Sequence, residues 1–155
     1  MGINYLLDTH ILLWWLFDDP KLDNDCRDLI RNPDHRILVS SASAWEIATK
    51  YRIGKLPEAK QLVEEYLQIL HQAKFIELAI TTTHALRAGN LPIAHRDPFD
   101  RMIMAQAELE SLPVITYDEV FQTGLIQVIP FREKLPNTSL ALANVQKAKK
   151  LTIKK

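Results

Sequence analysis

Five short β-rich runs alternate with helical stretches along most of this chain, and that alternation restricts the fold more than any other feature. The β candidates are residues 3–7 (INYLL), 37–40 (ILVS), 75–79 (FIELA), 114–116 (VIT) and 126–129 (IQVI). Between them, helical patterns cover 10–17 and 22–31, then 42–52 and 59–72, then 83–88 and 99–110. Strands separated by helices build βαβ units, which give a parallel sheet. Right-handed crossovers then place helices on both faces. Asp19-Pro20, Asn32-Pro33 and Leu56-Pro57 mark turns, Gly89-Asn90 closes a helix and Leu91-Pro92 starts a loop. After Pro136 the pattern weakens, with a final helix expected over 138–150 and a frayed end over 151–155.

With 155 residues, 47% of them hydrophobic and 25% charged, the chain suits one soluble domain with a sizeable core. Nineteen basic and nineteen acidic side chains cancel, so net charge points to no polyanionic partner. Arg132, Lys134, Lys147, Lys149, Lys150, Lys154 and Lys155 stand against Glu133 alone, so the tail is basic and the body acidic. That tail suits either a nucleic acid or plain solvation. The single cysteine, Cys26, excludes an internal disulfide and a cysteine-rich zinc site, and reads as a small core residue. The start carries no basic leader and no apolar run reaches membrane length, so no membrane association and a cytoplasmic location are expected.

Certain acids fall where chemistry is usually done in such a fold. Asp8 follows the first strand, and Glu46 lies in the first turns of the helix after the second. Asp97 and Asp100 open the helix before the fourth strand, and Asp118 lies just past that strand. In open α/β sheets, ligands bind beyond the carboxyl ends of the strands, where strand order reverses. Four carboxylates meeting there repel: two unit charges about 4 Å apart cost about 1 kcal/mol in water and about 4 kcal/mol at an effective dielectric of 20. Protons or a cation must neutralise them. All-oxygen donors point to Mg²⁺ or Mn²⁺, and such an ion supports phosphodiester cleavage.

Each acid also has a local explanation. Asp8 and Asp118 are N-cap candidates, and Ser43-Ala-Trp-Glu46 fits a capping box. Asp97-Pro98 reads as a cap followed by proline at the first helical position, with Asp100 as a helix-dipole partner. Singly, capping is favoured; jointly, the four point to a metal site, with Asp97 in support.

In order, the chain carries Tyr5-Leu-Leu-Asp8-Thr9-His10, Ser43-Ala-Trp45-Glu46-Ile-Ala, His95-Arg-Asp97-Pro-Phe-Asp100-Arg101 and Val114-Ile-Thr116-Tyr-Asp118. These resemble the motifs of PIN-domain nucleases, most closely the VapC-type toxins of bacterial toxin–antitoxin modules. The resemblance implies a doubly wound sheet of order 3-2-1-4-5, with a nuclease domain over 1–135 and a basic tail over 136–155. It implies Mg²⁺- or Mn²⁺-dependent cleavage of RNA, often transfer RNA (tRNA), a homodimer, and an antitoxin that blocks the acidic pocket. The four acids fall on Asp8, Glu46, Asp100 and Asp118 as catalytic metal ligands, with Thr9 and Thr116 lining the site. His10 stands where the common pattern has Asn, which leaves it either on substrate or capping the helix.

Trp14, Trp15 and Trp45 read as core aromatics, with a dimer or antitoxin surface as the alternative. Lys50, four residues after Glu46, reads as its surface ion-pair partner or as a phosphate-steering group. Arg52, Lys55, Arg96 and Arg101 are candidate phosphate contacts. His95 has no zinc-ligand spacing and is expected in a structural or substrate-side role. Two other functions fit less well. One is a non-catalytic RNA-binding or interaction module. The other is a phosphotransferase with Asp8 as nucleophile, which usually wants a second Asp where His10 stands.

Overall fold

The computed structural model describes residues 2–129. Five parallel strands lie in the order β3-β2-β1-β4-β5, as the resemblance implied. They are β1 (Asn4–Leu7), β2 (Arg36–Ser40), β3 (Ile76–Leu78), β4 (Val114–Ile115) and β5 (Val128–Ile129). The helices are α1 (Thr9–Leu16), α2 (Asn24–Arg31), α3 (Ser41–Arg52), α4 (Lys60–Glu64), α5 (Tyr66–Gln72), α6 (Thr82–Asn90) and α7 (Pro98–Leu109). The expected basic tail over 136–155, with its final helix, lies outside the described residues.

Alternate residues of the central strands feed two cores. Tyr5 and Leu7 of β1, Ile37 and Val39 of β2 and Ile115 of β4 pack on one face with residues of α1, α2 and α5. Leu6 and Val114 point to the other face, against α6 and α7. Both faces are covered, which is why β1 is apolar in succession rather than alternating. Leu6, Leu7 and Ile115 are fully buried, each contributing about 1.5–3 kcal/mol by leaving water.

The expected helix over 59–72 is broken. A 3₁₀ turn, Pro57–Ala59, leads into α4, and Glu65 (φ −120°, ψ 29°) separates α4 from α5. α3 ends where Gly54 takes φ +81°, with the Lys55 and Gly54 amides donating to Lys50 and Tyr51 carbonyls.

The chain runs outward from β1 to β3 and then returns to β4 on the other side of β1. The reversal point therefore lies between β1 and β4; β1 passes into α1 there, and its neighbour β2 into α3, almost without linkers.

Candidate metal centre

Asp8 is the one residue between β1 and α1. Its N–H donates to the Ile115 carbonyl of β4 (3.0 Å), and its own carbonyl accepts from Leu12 (3.1 Å). The sheet and the helix thus fix its backbone from both sides. It stands at the N-cap position of α1, but its carboxylate makes no capping hydrogen bond. Instead Oδ2 accepts from the Thr116 hydroxyl (2.7 Å) across the β1–β4 boundary and lies 3.9 Å from His10 Nδ1. That contact with Asp8 raises the His10 imidazole above its ordinary range, against the opposing effect of burial. Asp8 is buried, and its Oδ1 has no hydrogen-bond partner.

Glu46 arrives from α3. The capping box expected for Ser43 and Glu46 does not form: α3 is capped by Ser40, whose hydroxyl accepts from Ala42. The helix therefore starts earlier than that pattern implied. Ser43 instead meets Thr9, hydroxyl to hydroxyl at 2.9 Å, tying the buried first turns of α3 and α1 together. Glu46 is free of capping and turns inward, with Lys50 donating to its Oε2. The expected ion pair forms, but it runs inward: the Lys50 side chain is 38% exposed and that of Glu46 only 4%. Glu46 Oε1 is a second buried oxygen with no partner.

Asp97 caps α7 as expected, accepting from Phe99 (2.9 Å) and Asp100 (3.2 Å), with Pro98 at the first helical position. This turns Asp100 toward the crevice, where Oδ2 bonds His95 Nε2 at 2.7 Å. Burial pushes the Asp100 carboxyl up to about 7. The charges of Asp8, Asp97 and Glu46 add to that, and the His95 hydrogen bond opposes it. Asp8 and Glu46, far from Asp100 in sequence, thus both act on it.

Asp118 is held a step away. It caps the 3₁₀ turn Glu119–Phe121 through Val120 N–H, as its local reading predicted. Its own N–H donates to Thr116 Oγ1 (2.9 Å), which links it to Asp8.

Two expectations need correction. Arg101 is no phosphate contact: its guanidinium donates to the carbonyls of Ala88, Gly89, Leu91, Ile93 and His95. It satisfies the end of α6 and fastens the loop that carries His95. Trp45 is not core. It is 56% exposed, and its ring meets Phe99 edge-on, with centroids 4.7 Å apart. Trp14 and Trp15 do pack against the core, and Cys26 is buried in it.

The donor set fits a hard divalent cation. Two buried carboxylate oxygens lack any proton donor, and a third acid beside them is hard to ionise without a counter-charge. Among the described residues no three acidic, histidine or cysteine side chains are drawn together closely enough to hold an ion. Each of the three acids has one local partner: Thr116 for Asp8, Lys50 for Glu46 and His95 for Asp100. No helix among the described residues is long and apolar enough to cross a membrane.

A family model described as PIN domain matches residues 5–123. Ribonuclease VapC16 of Mycobacterium tuberculosis (strain ATCC 25618 / H37Rv) is 53% identical over 34 residues, 22% of this chain and 24% of that protein. The match therefore spans about a quarter of that curated relative's length. Solved structures share the fold at low identity. A chain of DNA-bound VapBC from Salmonella typhimurium superposes with a TM-score of 0.58 at 19% identity, covering 81% of this chain and 96% of that one. A chain of VapBC2 from Rickettsia felis, bound to a promoter DNA fragment, gives 0.57 at 18%, covering 81% and 97%.

Proposed function

The chain belongs to the PIN domain family, and from that premise we propose that it is a metal-dependent endoribonuclease, the VapC-type toxin of a toxin–antitoxin module. The observation that carries the reading is the pair of buried, partnerless oxygens, Asp8 Oδ1 and Glu46 Oε1, beside an Asp100 carboxyl pushed up to about 7. A polar atom buried without a partner costs about 1–3 kcal/mol. Two such atoms on acids at the sheet's reversal point are best explained by a ligand that is itself positive.

Asp8, Glu46 and Asp100 would hold Mg²⁺ or Mn²⁺, with Asp118 joining through the loop that Thr116 anchors. When bound, the ion supplies an activated water and polarises the scissile phosphate. The chain's own residues do the positioning. The β4 ladder and Thr116 hold Asp8, with Thr9 and Ser43 bracing the two helices behind it. Lys50 holds Glu46 in place, His95 aims Asp100, and His10 stands beside Asp8 at the rim. The named relative is a ribonuclease and the similar structures are VapBC complexes, which supports RNA as substrate and an antitoxin as partner; tRNA as the target is part of the same proposal. A homodimer and a cytoplasmic location belong to the same proposal.

The test is cleavage of RNA by recombinant protein. Activity is expected with Mg²⁺ or Mn²⁺, absent with chelator, and lost in Asp8→Asn and Asp100→Asn proteins that keep the wild-type circular dichroism. Cleavage that survives both substitutions would refute these roles.

A further inference from the structure

The α3–α7 seam carries an aromatic pair that the metal centre does not use. Trp45 directly precedes Glu46, and Phe99 directly precedes Asp100. On a helix one residue is a turn of about 100°, so each ring stands one step aside from its neighbouring acid. The rings meet edge to face, at 78° between planes. A contact of that geometry touches the indole without stacking flat on it, and Trp45 stays 56% exposed. Among the described residues, Phe17 and Trp45 are the aromatics in the set of exposed large hydrophobics, and Trp45 is the one adjoining a site acid.

Packing alone does not explain this ring. A seam between two helices is closed by any apolar side chain, and an indole placed for that purpose would be buried. Arg52, exposed and seven residues on, lies on the same face of α3, about 10 Å along the axis. A braced aromatic face beside an acidic centre, with a guanidinium two turns away, matches a single strand: a base on the ring and a backbone phosphate on the arginine.

We propose that Trp45, braced by Phe99, is the stacking platform for an unpaired RNA base next to the scissile phosphate. The inference rests on the ribonuclease reading. It assigns Trp45 a binding role that is sequence-tolerant, because every base presents a π-face. An RNA strand is favoured over a protein partner because the ring pair is joined in sequence to two acids of the centre and shares a face with Arg52.

The experiment compares Trp45→Ala, Trp45→Leu and Trp45→Phe, each in an Asp100→Asn background for binding and in the active protein for cleavage. The probe is a fluorescently labelled, unstructured RNA oligonucleotide read by anisotropy. Leucine keeps an apolar contact with Phe99 but has no flat face, whereas phenylalanine keeps the face. Ala and Leu are expected to weaken binding about 5- to 150-fold, with Phe recovering most of it. In cleavage the loss is expected in KM rather than kcat, and Mn²⁺ affinity should not change. Binding to a duplex of the same sequence should be indifferent to all three.

Equal behaviour of Leu and Phe, unchanged binding by all three, or no RNA binding by the Asp100→Asn protein would overturn the proposal. Unchanged binding in a protein that cleaves RNA sinks the platform alone. Trp45-dependent binding in a protein that never cleaves RNA sinks the nuclease reading and leaves the platform standing.

Discussion

Between α6 and α7, Glu108 and Glu110 each meet a base. Arg87 forms two hydrogen bonds to Glu108, one of them 2.9 Å. His84 Nδ1 accepts from Thr81 N–H, so its Nε2 carries the proton and donates to Glu110 (2.8 Å). At the carboxyl end of the sheet, the same kind of side chain is treated differently. Asp8 and Glu46 each keep a buried oxygen with no donor, and Asp100 sits among like charges. Pairing in the seam holds two helices together. Gln106 in the seam and Tyr66 also bury an oxygen without a partner, but these are neutral groups; on a carboxylate the same lack is a larger standing cost, of the kind a bound cation relieves. On the reading proposed above, the difference separates acids that stabilise the domain from acids that would hold the ion.

Substitution should expose the contrast as a difference of sign. Loss of RNA cleavage in Asp100→Asn is the largest expected effect. The same substitution should leave metal-free stability unchanged or raise it by about 1 kcal/mol, because it removes one of several repelling charges. Glu110→Ala should lower stability by about 0.5–1.5 kcal/mol, the value of one hydrogen bond. Urea denaturation of both proteins measures this, and equal destabilisation would erase the distinction.

Arg101 belongs with the seam rather than the crevice, although its sequence neighbour is Asp100. Arg101→Met should cost about 2–4 kcal/mol, since five carbonyls lose their donor. Thermal unfolding checks it. A change below about 0.5 kcal/mol would return Arg101 to the substrate-facing group.

A pH titration sharpens the comparison further. Asp100 has a folded-state pKa of about 7, above its unfolded value near 4. The native state therefore binds this proton more tightly, and the stability it confers is complete below about pH 4 and lost as pH rises to about 7. Without divalent ions, stability should carry this downward contribution, and Asp100→Asn should remove it. Saturating Mg²⁺ should flatten it. A slope identical in wild type and Asp100→Asn would contradict the assignment.

Much of this was legible in the sequence. Apolar β runs between helical patterns set the parallel sheet, and a parallel sheet sets which ends of the strands matter. Asp8, Glu46 and Asp100 therefore stood out as residues leaving those ends, and the structure brings the first two close enough to act on the third. Other features depend on contacts that no local pattern encodes. Ser40, Ser41 and Ser43 are all chemically able to cap α3, and only the strand's endpoint selects Ser40. Trp45 has helical spacing like Trp14 and Trp15, but the neighbour opposite its face is the start of α7, which covers it partially. Arg101 looked like a phosphate ligand because the loop it fastens has no signature beyond its turn residues. The break at Glu65 has no glycine or proline to announce it.

The most direct measurement is calorimetric titration of the metal-free protein with Mn²⁺, wild type against Asp8→Asn, Glu46→Gln and Asp100→Asn. Saturable binding by the wild type, weakened at least tenfold by each substitution while the fold is kept, is the predicted result. Binding of equal strength in all four proteins, or none in a wild-type protein that still cleaves RNA, would contradict a metal centre built on these three acids.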